Sequence, residues 1–268
     1  MNLNAQTPSH PRQGDKSNTA IVLVAFGSTA TSTITTYEKI TNSFKKAFPD
    51  NSIFIAYTSE HAIKKANESG RNLLNVNETV EKLTTDGYTK IIIQSLHIMN
   101  GEEFMSIGEN FSSAKIVIGK PLLSSDSDLQ KISEVLLPQC NKKIPTLIAA
   151  HGNSKFPELN LTLQKLGSII ESKCTNAVLC TIEGEPGIKP LSKITNQAKS
   201  VNSARIIPLM LVAGVHVTDD LIGTDPSSWK NLLGIKNVIL SDPMGELPII
   251  HEIYISHCKD ALKKLDTL

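Results

Sequence analysis

Short runs of apolar residues recur along the chain, and longer amphipathic segments separate them. Runs of this kind, rich in β-branched residues and without strict alternation, are typical of strands buried on both faces of a sheet. They fall at 20–26, 52–57, 90–95, 115–118, 146–150, 177–181, 204–211 and 237–240. Segments with helical spacing lie between them, for example at 37–48, 76–86, 159–172 and 249–265. The alternation predicts βαβ units and parallel sheets.

The two halves of the chain repeat one order of elements. In each half a strand leads into a glycine turn, at Gly27 and at Gly152, and a helix and further strands follow. Because a solenoid needs at least three repeats, two halves predict two similar α/β lobes. We place the boundary in the polar stretch 138–145, which gives lobes at 20–140 and 141–268 after a disordered tail at 1–19. We expect ligands at the carboxyl ends of the strands, in a central cleft.

Composition narrows the classes of partner and the compartment. A formal net charge of +1 argues against nucleic acid as a partner. The four cysteines form no C-x-x-C pair, which fits a reduced compartment. The first 19 residues lack the apolar core of a signal peptide, and no apolar run approaches the roughly 18 residues of a membrane span. We therefore expect a cytoplasmic protein that does not enter membranes. The oligomeric state stays open, a homo-oligomer included.

Three polar residues stand at the carboxyl ends of predicted strands in the second lobe. They are His151, Glu183 and His216. Two imidazoles and a carboxylate form a ligand set suited to Fe2+, Co2+, Ni2+ or Zn2+. A carboxylate at such a site also accepts protons. Each residue has an ordinary alternative: a turn residue, the partner of a surface lysine, and a residue near the start of a helix. Their shared placement favours the metal site.

The turns after two strands suit an anionic ligand. Gly27-Ser28-Thr29 and the turn at Gly152 each join a strand to a helix, where backbone N–H groups attract negative charge. No nucleotide-binding glycine motif is present, so a polycarboxylate fits better, and ordinary turn chemistry is the alternative. His97 follows the third strand of the first lobe. It either faces a ligand there or is a buried, hydrogen-bonded histidine.

Six motifs together resemble the anaerobic cobalt chelatases, which share a superfamily with class II ferrochelatases. They are VAFGS at 24–28, IQSLHIMNGEE at 93–103, PLLSS at 121–125, AHGN at 150–153, IEGEP at 182–186 and PLMLVAGVH at 208–216. The resemblance extends over about 20–265, nearly the whole chain. The motifs around 93–103 and 208–216 are fairly specific to this group, whereas a His-Gly pair alone is not.

The resemblance implies a fold, a reaction and a set of site residues. The fold is two Rossmann-like lobes around a tetrapyrrole cleft, and the reaction is insertion of Co2+ into sirohydrochlorin or a related tetrapyrrole during cobalamin biosynthesis. His151, Glu183 and His216 would hold the metal, with His151 and Glu183 catalytic and Glu183 accepting pyrrole protons. The substrate contacts implied are Ser28, Thr29, Ser95, His97 and Gly152. No tightly bound cofactor is expected, because the metal is itself a substrate.

Three positions depart from the family's pattern. Glu185 stands where an aromatic residue is usual, Val215 where an acidic residue is usual, and Asp219 where an asparagine is often found. These changes leave the three expected ligands in place but alter their surroundings, and so bear on metal preference. Two alternatives remain: a chelatase for Fe2+ or Ni2+, and a tetrapyrrole or metal carrier without turnover.

Overall fold

The computed structural model describes residues 18–28, 31–107, 114–140, 142–214 and 217–267. The strands, in chain order, are β1 Thr19–Ala25, β2 Ser52–Tyr57, β3 Lys90–Ser95, β4 Lys115–Gly119, β5 Thr146–Gly152, β6 Ala177–Glu183, β7 Ser203–Leu209 and β8 Asn237–Leu240. The α-helices are α1 Thr31–Ala47, α2 Glu60–Glu68, α3 Val76–Thr85, α4 Glu102–Met105, α5 Asp126–Leu136, α6 Leu161–Lys173, α7 Ser192–Val201, α8 Trp229–Leu233 and α9 Pro248–Asp266. Among these helices of the described ranges, none is long and apolar enough to cross a membrane.

Two parallel sheets confirm the predicted fold class. Their strand orders are β2-β1-β3-β4 and β6-β5-β7-β8, and every strand pair within them is parallel. Each strand begins and ends within two residues of its predicted bounds. The two sheets have equivalent orders, with the first strand of each half second in its sheet, as the repeated sequence pattern predicts.

Both sheets are covered by helices on their two faces. In the first sheet, Ala20, Val22 and Val24 of β1 belong to the same buried cluster as Val80 and Leu83 of α3. The alternate residues of β1 point to the opposite face, and α1 and α9 pack against strands of this sheet. In the second sheet, one buried cluster joins residues of the strands to α7 and α8, while α6 packs on β6. Burial on both faces explains the continuous apolar runs.

The chain divides into two compact units at a different point from the expected boundary near 138–145. The first unit contains residues up to Leu122 together with Pro248–Leu268, and the second contains Leu123–Leu247. The difference has a packing cause, because α5 lies against α6 and α9 lies against β3 and β4. Each unit thus takes in one helix from across the expected boundary. Residues 1–17 of the expected tail lie outside the described residues, and Thr19 already opens β1.

A tyrosine on α9 ties this helix to the end of β3. The hydroxyl of the fully buried Tyr254 donates to the backbone oxygen of Leu96 at 2.9 Å and to that of His97 at 3.2 Å. We predict that Tyr254→Phe lowers the free energy of unfolding by about 1–2 kcal/mol, because buried carbonyl groups lose a donor that water cannot replace. Urea denaturation measures this loss. A change below about 0.3 kcal/mol would show that the two hydrogen bonds contribute nothing net.

Candidate metal site and family

His151 and Glu183 lie at neighbouring strand ends in the second unit. The first five residues of β5 and of β6 are buried, whereas His151 and Glu183 are exposed. The two strands are adjacent and in register, with Gly152 paired to Glu183. Both residues lie within the last two positions of their strands, although the apolar pattern predicts strands that end before them. The main-chain hydrogen bonds therefore continue past the point where the side chains become polar.

A buried asparagine holds the turn after β5. Asn160 is fully buried, its side-chain oxygen accepts from the backbone N–H of Asn153 at 2.9 Å, and its side-chain nitrogen donates to the backbone oxygen of Asn153 at 2.9 Å. The Asn153 side chain in turn accepts from the backbone N–H of Phe156 at 2.7 Å. These bonds fix the backbone that follows His151 on to the start of α6.

The loop after β6, residues 184–187, is called the glutamate loop and folds back on its own strand. The hydroxyl of Thr181 donates to the backbone oxygen of Gly184 at 2.9 Å and accepts from the backbone N–H of Gly187 at 2.9 Å. Gly184 has a φ of +67°, and a Cβ on it would overlap the backbone oxygen of Asn153 and the Asn160 amide. The two loops are therefore packed backbone against backbone, and their separation is set by a glycine.

The donor atoms of both candidate ligands are oriented by local hydrogen bonds. Nδ1 of His151 lies 3.0 Å from the backbone oxygen of Gly152. A carbonyl only accepts, so Nδ1 carries the proton and the neutral ring has its lone pair on Nε2. The Ser154 hydroxyl donates to Oε2 of Glu183 at 3.2 Å. Glu185 differs, since its carboxylate pairs with Lys189 at 2.6 Å. Of the two glutamates, Glu183 is therefore the one that lies beside β5, the strand that carries His151.

The third expected ligand, His216, lies outside the described residues, as does Thr29 of the expected substrate contacts. Within the described ranges, no group of three His, Cys, Asp or Glu side chains is arranged to hold a metal ion. Of the predicted set, the structure thus brings together His151 and Glu183 on adjacent strands. Gly152, the residue after His151, is the one paired with Glu183 in the ladder.

In the first unit, His97 is enclosed by hydroxyl groups. Its Nδ1 lies 3.0 Å from the hydroxyl of Ser95 and its Nε2 lies 3.4 Å from that of Thr58. Ser95 is fully buried, and its hydroxyl also accepts from the backbone N–H of His97 at 3.2 Å. Burial disfavours the charged imidazolium and lowers the pKa of His97 to about 4. Ser95 therefore positions His97, and His97 itself is a neutral, hydrogen-bonded histidine.

Ser28 stands in the turn after β1 and has a neighbour that the sequence does not single out. The guanidinium of Arg71 donates to the backbone oxygen of Ser28 at 3.3 Å. Arg71 lies in the segment between α2 and α3, where no periodicity or motif marks it. Only the fold brings the segment to the carboxyl end of β1.

Comparison with known proteins identifies the family. The family model described as cobalt chelatase (CbiK) matches residues 19–263. The chain belongs to the cobalt chelatase family. It is 28% identical over 259 residues to the sirohydrochlorin cobaltochelatase of Salmonella typhimurium, covering 91% of this chain and 96% of that protein. It is 24% identical over 260 residues to the sirohydrochlorin cobaltochelatase CbiKC of Nitratidesulfovibrio vulgaris, covering 92% and 91%.

Two solved structures share the fold of this chain. SirB from Bacillus subtilis with Fe3+ superposes with a TM-score of 0.60 at 14% identity, over 91% of this chain and 95% of that one. CbiX, the terminal enzyme of sirohaem biosynthesis in denitrifying bacteria, gives a TM-score of 0.56 at 18% identity, over 90% of this chain and 99% of that one. At these identities the likeness concerns the two-unit architecture alone.

Two glycines of the glutamate loop test how closely the loops are packed. We predict that Gly184→Ala lowers the free energy of unfolding by about 2–4 kcal/mol, because the new methyl group meets backbone atoms as well as an unfavourable φ. Gly187→Ala is the matched control, since Gly187 also has a positive φ but its Cβ would come no nearer than 3.5 Å to the Gly184 oxygen. Its loss should be about 1–2 kcal/mol. Thermal or urea unfolding compares them, and equal losses would argue against close packing.

The low pKa of His97 predicts a pH dependence of stability. An unfolded histidine titrates near 6.5, so protons bind the unfolded chain in preference to the folded one between about pH 6.5 and pH 4. His97 therefore contributes stability above this window that is lost as the pH falls through it. We expect the free energy of unfolding to fall by about 2 kcal/mol more in the wild type than in His97→Gln between pH 7 and pH 4.5. Urea titrations at the two pH values measure it, and parallel losses would contradict the assignment.

Proposed function

We propose that this chain inserts Co2+ into sirohydrochlorin, as a step of cobalamin biosynthesis. Membership of the cobalt chelatase family and two sirohydrochlorin cobaltochelatases as relatives support the reaction. The observation that carries the proposal is a pair of exposed side chains of types that bind metals, His151 and Glu183, at the ends of two adjacent, hydrogen-bonded strands. A chelatase needs such a place, because the metal must be held and then given up.

The metal is a substrate, and His151, Glu183 and His216 are its proposed ligands. Imidazole nitrogen and carboxylate oxygen bind Co2+ but form no closed cage of the kind found at structural metal sites. A neutral imidazole is displaced readily by a competing nitrogen ligand, and the macrocycle offers four. Since Fe2+ and Ni2+ accept the same donors, the preference for Co2+ depends on surroundings and supply.

Glu183 is also the proposed proton acceptor. Insertion of a divalent ion into the free macrocycle displaces two pyrrole N–H protons, and a carboxylate close to the metal removes them. The hydrogen bond from Ser154 fixes one oxygen of Glu183 and leaves Oε1 outside that bond. Glu185, bound to Lys189, is separated from this role by its ion pair.

For the macrocycle, Ser28, Thr29 and Gly152 remain the proposed contacts. Turn backbones suit the carboxylates that rim a tetrapyrrole such as sirohydrochlorin. His97 and Ser95 act as a pair in this proposal. Ser95 is fully buried and hydrogen-bonded to the His97 ring, so any contact of the pair with substrate is proposed for the histidine ring.

Two glutamates two residues apart allow a matched test of the reaction. We predict that Glu183→Gln lowers the rate of Co2+ insertion into sirohydrochlorin by about 100-fold or more, because the amide neither accepts the pyrrole protons nor binds the ion as well. His151→Ala should lose activity similarly, whereas Glu185→Gln should stay within about threefold of the wild type. The change in tetrapyrrole absorbance reports insertion, against controls without enzyme.

The same assay separates the alternatives. Runs with Co2+, Fe2+ and Ni2+ rank the metals. A loss of activity in Glu185→Gln but not in Glu183→Gln would reverse the assignment of the two glutamates. A wild type that never exceeds the spontaneous rate with any metal would overturn the catalytic function, and normal tetrapyrrole binding in that case would identify a carrier.

A further inference from the structure

Arg71 is a partly buried cation without a carboxylate partner among the described residues. Its one hydrogen bond there runs from Nη2 to the backbone oxygen of Ser28, which is neutral. A guanidinium has five N–H donors in a planar fork that matches a carboxylate. Partial burial removes water from the charge, and without a counter-ion this desolvation costs free energy that no ion pair offsets. The guanidinium is thus arranged for an anion that the described part of the chain does not supply.

The phenol of Tyr57, which lies near enough to Arg71 for an electrostatic effect, does not supply this anion. Arg71 acts electrostatically on Tyr57, but burial outweighs the cation and raises the pKa of the Tyr57 phenol to about 12. Tyr57 therefore stays uncharged at neutral pH. It is packed edge-to-face on Tyr37, with the ring centres 5.9 Å apart. The two buried rings thus supply no negative charge to pair with Arg71.

The turn that Arg71 contacts is fixed to the sheet and exposes an aromatic ring. The backbone oxygen of Phe26 accepts from the N–H of Ser59 at 3.0 Å, which joins the chain after β1 to the chain after β2. The Phe26 side chain is nevertheless 50% exposed. The end of this strand thus carries the apolar ring of Phe26 and, two residues further along at Ser28, the backbone oxygen that binds the cationic side chain of Arg71. This is the chemistry that a flat apolar macrocycle with an acidic rim requires.

We infer that Arg71 binds a carboxylate of the tetrapyrrole substrate, with Phe26 offering apolar contact to the macrocycle. The inference rests on the proposed function for the identity of the substrate and adds two residues that determine how it is held. Arg71 takes no part in the chemistry of metal insertion. Arg71 contributes to substrate binding. Its replacement should therefore change the dissociation constant and KM and leave kcat unchanged.

The direct test is binding of metal-free sirohydrochlorin, followed by its fluorescence. We expect Arg71→Gln to raise the dissociation constant and KM by roughly 10-fold or more, with kcat within twofold, because a charge-assisted, two-pronged hydrogen bond is lost. Arg71→Lys keeps the charge without the fork and should fall between wild type and Arg71→Gln. The salt dependence of binding should also be shallower in Arg71→Gln. Phe26→Ala should weaken binding without altering this salt dependence.

Lys65→Gln is the control for loss of one positive charge, since Lys65 is exposed on α2 in the same unit. Thermal melting of each variant excludes loss of folding as the cause. If Arg71→Gln binds sirohydrochlorin no more weakly than Lys65→Gln, the inference is overturned even when the wild type inserts cobalt. If binding depends on Arg71 but no metal is inserted, the inference stands and the proposed chelatase activity fails. A wild type that does not bind sirohydrochlorin overturns both.

Discussion

The hydrogen bonds between Asn153 and the buried side chain of Asn160 are the constraint on which the sheet edge with the proposed metal ligands depends. They satisfy both polar ends of a buried amide, so loss of either partner would leave unpaired groups in the interior. They also hold a backbone oxygen against Gly184, where no larger residue fits. Through these contacts the distance between the end of β5, with His151, and the end of β6, with Glu183, is set by main-chain packing rather than by flexible side chains.

Such a rigid backbone beneath two exposed donors suits a metal in transit. A structural metal site encloses its ion with four protein ligands, which makes release slow. Here the donors stand at the end of a sheet, open to solvent, and each makes a local hydrogen bond, His151 with the backbone oxygen of Gly152 and Glu183 with the hydroxyl of Ser154 on the neighbouring loop. A metal ion bound there, as proposed, would remain exchangeable while the protein keeps the donors in place. The positions of the donors can thus be fixed even though the metal ion is bound weakly.

The strands and their ends could be predicted because buried parallel strands have a distinctive apolar pattern and their carboxyl ends collect polar residues. This placed His151 and Glu183 correctly at one sheet edge. The pattern missed features that depend on long-range packing. Asn160 stands just before α6 and Arg71 lies between α2 and α3, and nothing in the neighbouring sequence distinguishes these polar residues from surface residues. The division into units also escaped it, since amphipathic spacing shows that α5 and α9 bury one face but not against which sheet.

The return of α9 to the first unit has a consequence for the order in which the protein matures. The strands of the first unit lie within residues 19–119, yet the helix that covers β3 and β4 comes from residues 248–266. During synthesis on the ribosome, the apolar face of that sheet must wait for more than a hundred further residues before its cover emerges. The second unit, by contrast, is contiguous and has all its elements once residue 247 is made. The half of the protein that is translated first is therefore the half that is completed last.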